Sequence, residues 1–181
     1  MADSNTVFTG EELKEIYYQI EEILRNIFES IRTEKLSFAE AAQRQLDSID
    51  CLFAERNNNN LKQIYEFIRR LIQQSTIKSN NHLLFSEKAI QEIEYLVGSI
   101  KYLLRCLSDV TTTGNPTLTK YITETSKSLE ESSRKFSLEH EERLIAGLCQ
   151  PQTAPVYRNI LESLKGLCCC IRAISQDIAR A

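Results

Sequence analysis

The hydrophobic positions of this chain recur with the period of a helix almost from end to end. The most regular stretch lies near the C-terminus, where Tyr157, Ile160, Leu164, Leu167, Ile171, Ile174 and Ile178 step by 3, 4, 3, 4, 3 and 4. Such spacing lays one apolar stripe along a helix and suits it to near-parallel packing in a bundle. A second seam, Ile90, Ile93, Val97, Ile100, Leu104 and Leu107, belongs to a helix expected from about Leu84 to Val110, with Leu96 and Leu103 widening the stripe. Leu13, Ile16, Ile20, Ile23 or Leu24, Ile27 and Ile31 predict a first helix over Glu11–Thr33. Ser37-Phe38-Ala39-Glu40 reads as a capping box opening a second helix to about Arg56, with Ala42, Leu46, Ile49 and Phe53 inward. The run Asn57 to Asn60 predicts a break, because asparagine favours turns. A third helix then carries Leu61, Ile64, Ile68 and Leu71 inward as far as Gln74, and the polar run Ser75–Asn81 predicts a loop.

Thr111 to Pro116 punctuates the chain, with Asn115 placed as N-cap and Pro116 as the first residue of a fifth helix reaching Ala146. This helix is the most polar, with Leu118, Ile122, Leu129, Phe136 and Leu144 as its apolar positions. The pairs Glu130–Arg134, Glu131–Lys135 and Glu139–Arg143 fall at i,i+4 and are expected to stabilise it, and its serines suggest a bend near Ser132–Ser133 or Ser137. Gly147 and Pro151 end it, and Pro155 opens a sixth helix to about Ala179. No stretch alternates with the period of a strand. The expectation is an all-α fold, an antiparallel bundle of five to six long helices. Residues 1–10 read as a flexible arm and 11–181 as a single bundle domain, divisible into halves 11–112 and 115–181.

Composition narrows the functional classes. With 42% hydrophobic and 26% charged residues the chain is globular, and at 181 residues it needs neither disulfide nor metal to build a core. A net charge of −3 lacks the basic field that phosphate backbones require, so nucleic acid is not an expected partner. No apolar run is long enough to span a bilayer and no leader pattern opens the chain. The consecutive Cys168, Cys169 and Cys170 cannot pair among themselves, because helical neighbours point about 100° apart. With Cys51, Cys106 and Cys149 they read as reduced thiols of a cytoplasmic protein.

No catalytic, cofactor-binding or metal-ligating residue emerges. A di-iron bundle needs Glu-x-x-His on two helices, but Ser79 and Ser137 stand three before His82 and His140. His140, among Glu139, Glu141 and Glu142, reads as a solvated histidine, and His82 as part of a polar loop. The glycines are isolated, so no phosphate-cradling loop exists. Gly98 and Gly166 interrupt the two strongest seams, which points to a neighbouring helix passing close to each, with a partner chain or ligand as the alternative.

Arg143-Leu144, Gly147-Leu148-Cys149 and Pro151 form a turn, followed by Asn159-Ile160-Leu161-Glu162-Ser163-Leu164 and a helix end at Ile174–Ala179. Over residues 141–179 this resembles the end of the PhoU domain, a helical bundle of phosphate-uptake regulation that also occurs as a cytoplasmic domain of sodium/phosphate cotransporters. Leu103-Leu104-Arg105-Cys106-Leu107-Ser108-Asp109 resembles a second, weaker copy. Where that family carries its metal-binding acids, this chain has Leu104 and Ser108 in one copy and Lys165 and Cys169 in the other. The resemblance implies a non-enzymatic regulatory bundle without that metal cluster. Such a protein would act through contacts with a phosphate transporter or its membrane domain, at the inner face of the membrane, and would admit a homodimer. The alternative is a helical adaptor or oligomerisation module unrelated to phosphate.

Overall fold

The computed structural model of the chain describes residues 9–54 and 59–180. Six α-helices account for nearly all of it: α1 Gly10–Thr33, α2 Leu36–Ala54, α3 Asn59–Asn80, α4 Glu87–Thr113, α5 Pro116–Ile145 and α6 Ala154–Ile178, the last entered through a 3₁₀ turn at Pro151–Thr153. Among the described residues there is no strand, and the fold is the all-α bundle expected from the periodicity. Short connections make successive helices antiparallel. α1, α2 and α3 pack on one another as one three-helix unit, and α4, α5 and α6 as a second, so the division falls between Asn80 and Glu87 and not between the halves 11–112 and 115–181 that the Thr111–Pro116 punctuation suggests. The units join where α1 meets α4 and α3 meets α6. The two strong seams fill the middle of this body: Ile93, Val97, Ile100, Leu104 and Leu107 of α4 are buried, as are Tyr157, Ile160, Leu164, Leu167, Ile171 and Ile174 of α6. Ile90 and Ile178, at the ends of the rows, are half-buried against the same core.

The termini of the helices follow local chemistry, not always where the sequence suggested. The α1 cap is a capping box at Thr9: its hydroxyl accepts from the Glu12 amide at 3.2 Å, and the Glu12 carboxylate accepts from the Thr9 amide at 2.7 Å. Thr9 and Gly10 therefore belong to the helix start and not to the arm, whose residues 1–8 lie outside the described residues. The box expected at Ser37–Glu40 does not open α2. That helix begins at Leu36, so Ser37 is already its second residue. The turn before it is made instead by Glu34 in the left-handed region, φ 60°, with its amide bonded to the Ser30 carbonyl. The end of α2 at Arg56, the inward Phe53, the Cys51 thiol and the start of the asparagine break lie outside the described residues. Asn59 and Asn60 are already helical.

The largest correction concerns Ser75–Asn81. These residues continue α3 to Asn80, and Ser75, Lys78 and Ser79 are buried. Ser75 and Thr76 turn their hydroxyls back onto the Ile72 carbonyl, and Lys78 finds Glu34, at the end of α1, at 2.8 Å, while the buried Ser79 hydroxyl has no partner. α3 ends in a Schellman turn with His82 in the left-handed position, φ 49°, where Leu83 bonds the Lys78 carbonyl at 3.0 Å. α5 starts as expected, its Asn115 side chain accepting from the Thr117 amide at 2.9 Å with Pro116 following. It runs unbroken past Ser132, Ser133 and Ser137. It ends in a second Schellman turn at Gly147, φ 71°. Its charges reach across to other helices more than along their own: Glu130 pairs with Arg172 of α6, and Arg143 with Glu92 of α4.

Candidate functional site

The most unusual chemistry lies at the end of the bundle where α4 and α6 begin and α5 finishes. Glu92, on the inner face of α4, is only 2% exposed. Its carboxylate accepts from Arg143 of α5 at 3.1 and 2.8 Å, a bidentate fork, and from the Tyr157 hydroxyl of α6. One carboxylate thus joins all three helices of the second unit. Burial, and then the carboxylate it donates to, pushes the Tyr157 hydroxyl far above its ordinary value, so it remains a donor. Phe85 stands edge-on to Tyr157 at 5.8 Å, and the Lys78 ammonium lies 5.2 Å from the Phe85 ring. The hub is therefore connected to the Glu34–Lys78 pair of the first unit through aromatic faces.

His140 belongs to this cluster and is not the solvated residue its acidic neighbours suggested. It is 4% exposed and tilted against Tyr157 with ring centroids 4.3 Å apart. Neither ring nitrogen has a hydrogen-bond partner. Burial, followed by the Arg143 guanidinium, pulls its pKa below the usual imidazole value, against the opposing pull of Glu92 and Glu141. At neutral pH it is an uncharged aromatic spacer. The sequence carried the signal in another register. Thr119, Ile122, Ser126, Leu129, Ser133, Phe136 and His140 step by 3, 4, 3, 4, 3 and 4, with small polar residues where large apolar ones are usual. Ser133 uses this close approach to donate to the Leu161 carbonyl of α6 at 3.1 Å. His82 is exposed in the turn after α3, in keeping with its polar setting.

As chemistry, the cluster is closed. Both Glu92 oxygens and the Tyr157 hydroxyl are engaged, and general acid–base work needs a group within reach of a substrate proton. A shallow hollow of about 430 Å³ borders the cluster at Glu139, Glu142 and Arg143, and a cleft of about 460 Å³ lies between α1 and α4, with a lining that includes Tyr17, Tyr18, Glu22, Leu104, Ser108 and Asp109. Its floor is set by Glu21, which binds Arg105 through both carboxylate oxygens and lies 3.9 Å from Lys101. The Arg105 guanidinium holds the Glu21 carboxyl below the usual carboxylate range. Burial pushes the Tyr17 hydroxyl up to about 12, so it too stays protonated.

Leu104 and Ser108, standing where the resembled family has acids, line this cleft, while Lys165 pairs with Glu162 on α6 and Cys169 sits half-buried. The four positions do not converge, and among the described residues no group of three or more His, Cys, Asp or Glu side chains could hold a metal ion. The weaker copy at Leu103–Asp109 lies on α4, in the same unit as α6, whereas the two-unit arrangement makes α3 the positional counterpart of α6. Cys168 and Cys170 are buried thiols, and Cys170 donates to the Gln63 side chain of α3 at 3.5 Å. The two seam glycines differ. Gly166 has Phe67 of α3 standing on it, whereas Gly98 faces open space. Among the described residues no helix is long and apolar enough to cross a membrane. Neither a family model nor a curated protein nor a solved structure matches the chain.

Proposed function

We propose that this chain is a non-enzymatic regulatory bundle that works through protein contacts, in the setting of phosphate transport that its PhoU resemblance implies. The observation that supports the reading is the all-α bundle, in which α1–α3 meet α4–α6 through α1–α4 and α3–α6, the class of fold that resemblance implies. The turn Arg143–Pro151 and the α6 helix behind it support the same reading, as does a polar cluster whose carboxylate is committed to Arg143 and Tyr157. The partner in this reading is a phosphate transporter or its membrane domain, met at the inner face of the membrane, and no metal takes part.

The test is affinity capture of the full chain, with its native flanking sequence, from its own cells under phosphate-replete and phosphate-starved conditions. Recovery of a phosphate transporter or signalling component in either state is the expected result. Its absence from both, with the bait intact, removes the phosphate setting. A helical adaptor or oligomerisation module unrelated to phosphate is the second reading. What favours it is the exposed aromatic face of α4, where Tyr95 and Tyr102 stand in solvent around an uncovered glycine.

A further inference from the structure

One face of α4 is turned away from the core of both units. Tyr95 and Tyr102 are 51% and 54% exposed on it, and at Gly98 between them nothing lies within 4 Å of where a Cβ would sit. Glycine in a helix interior is destabilising relative to alanine, and no contact inside the chain requires it here. The two rings are not loose. Tyr95 meets Phe136 edge-on at 6.2 Å and Tyr102 meets Tyr121 at 6.0 Å, so α5 props both beside the low point at Gly98.

The order of charges on this face selects its occupant. At about 100° per residue, Glu94, Lys101 and Arg105 fall on one side of Gly98, and Tyr95 and Tyr102 on the other. Along the axis, Glu94 precedes the glycine by about 6 Å, while Lys101 and Arg105 follow it by about 4.5 and about 10.5 Å. Tyr95 precedes it by about 4.5 Å and Tyr102 follows by about 6 Å. A two-fold axis lying in the contact plane across Gly98 reverses the helix direction and keeps each residue on its own side. It therefore brings Glu94 against the partner's Lys101 and Arg105, which together with the Glu21 they hold keep one net positive charge, and Tyr95 against the partner's Tyr102. The two glycines meet at the crossing, where the missing side chains let the backbones approach. A parallel pairing, by a two-fold along the helices, moves each residue to the opposite side of the seam, sets Glu94 against the partner's Tyr95 and Lys101 against the partner's Tyr102, and leaves the charges unpaired. The face is complementary to its own copy in one orientation only, as an isologous interface requires.

We propose that a second copy of the chain docks on this face, with the two α4 helices crossing antiparallel at Gly98. This goes beyond the regulatory reading and does not rest on it: a dimer without a transporter partner, or the reverse, would separate the two.

The test is sedimentation velocity of the full chain over a concentration series, starting from the 20.8 kDa monomer. The expected result is a reversible shift to twice that mass. Gly98→Leu weakens association about tenfold or more, and Glu94→Lys weakens it with a smaller effect in high salt. Gly98→Ala, which meets nothing in the monomer, raises the melting temperature of dilute protein yet still weakens the dimer, so folding and association are read separately. A chain that stays monomeric to millimolar concentration overturns the proposal. So does a dimer indifferent to Gly98→Ala and Glu94→Lys, and so does a monomer that carries a different protein on this face.

Discussion

Replacing Gly166 by alanine tests how closely α3 and α6 approach, which is the contact that joins the two units. An ideal Cβ at this position falls 2.3, 2.5 and 2.6 Å from Cζ, Cε1 and Cε2 of Phe67, so the ring of α3 stands tip-first on the backbone of α6. Carbon atoms in contact prefer about 3.5–4.0 Å, so the ring has to move by more than an ångström or the helices have to part. Overpacking of this kind destabilises by about 1–3 kcal/mol, whereas the better helix propensity of alanine returns about 1 kcal/mol. Phe67 is half-buried, with the Arg70 guanidinium 5.6 Å from its centroid, so it has a way out toward solvent that keeps the net loss near the lower end. The expected balance is a loss of about 0–2 kcal/mol, read as a lower urea midpoint at constant slope by circular dichroism. The decisive measurement is the double-mutant cycle with Phe67→Ala. In that background the ring is gone, so Gly166→Ala turns stabilising by its propensity term, and the coupling between the sites reaches about 1–3 kcal/mol. Gly166→Ala that stabilises the wild-type chain and adds simply to Phe67→Ala would refute the close approach.

Removing the Glu92 side chain with Glu92→Ala leaves the Arg143 charge unpaired inside the second unit and is expected to lose about 3–5 kcal/mol, while Tyr157→Phe loses about 1.5–3 kcal/mol; urea titrations of the two, with Glu92→Ala the less damaging, would contradict the hub. Because the folded-state pKa of His140 is depressed, the native state binds fewer protons there than the unfolded chain, so its contribution is complete above the unfolded value of about 6.5 and is lost as pH falls below it. The groups facing it are Glu92 of α4, Glu141 and Arg143 of α5, and Tyr157 and Arg158 of α6. The stability difference between wild type and His140→Phe should shift toward the variant from pH 7 to pH 5, and a pH-independent difference would rule this out. Exposed His82 holds a left-handed conformation that glycine adopts without penalty, so His82→Gly is expected to gain about 1 kcal/mol; a loss in thermal melts would mean its side chain is needed. Burial pushes the Cys170 thiol up to about 11 and that of Cys168 higher still. In alkylation followed by mass spectrometry, Cys149 in the half-exposed turn should label before either of them, and early labelling of Cys168 would contradict its burial.

The seams of α4 and α6, the Asn115–Pro116 start of α5 and the Gly147 turn were legible because their causes are local: apolar spacing, a capping side chain, a left-handed glycine. What escaped was decided by partners far along the chain. Ser75 and Lys78 continue the α3 stripe, since Leu61, Ile64, Ile68, Leu71, Ser75 and Lys78 step by 3, 4, 3, 4 and 3. Their polarity suggested a loop only because Glu34, which neutralises Lys78, is 44 residues away. His140 misled for the same reason. Its sequence neighbours are acidic and outward, but one helical position turns it onto the α6 side, where Tyr157 provides a flat surface. The two seam glycines looked alike in sequence, and only the tertiary packing separated one held under a ring from one left open.

These polar exceptions have a common logic. Rows of leucine and isoleucine bury area but specify register weakly, because a helix slipped by a turn still presents an apolar stripe. A buried charge does not tolerate that slip, since losing its partner leaves it unsatisfied. In this chain each such charge joins helices that apolar packing alone would leave free to slide: Lys78 ties α3 to the end of α1, Glu92 ties α4 to α5 and α6, and Glu21 ties α1 to α4 across the two units. The first two sit at one end of the bundle. Glu21 clamps the α1–α4 pairing farther along, near Arg105, and so fixes the relative slide of the units at a second point. Two clamps separated along the long axis hold translation and tilt together. That is what an outward face built from Glu94, Gly98, Lys101 and Tyr102 needs if it is to present one fixed pattern to another molecule.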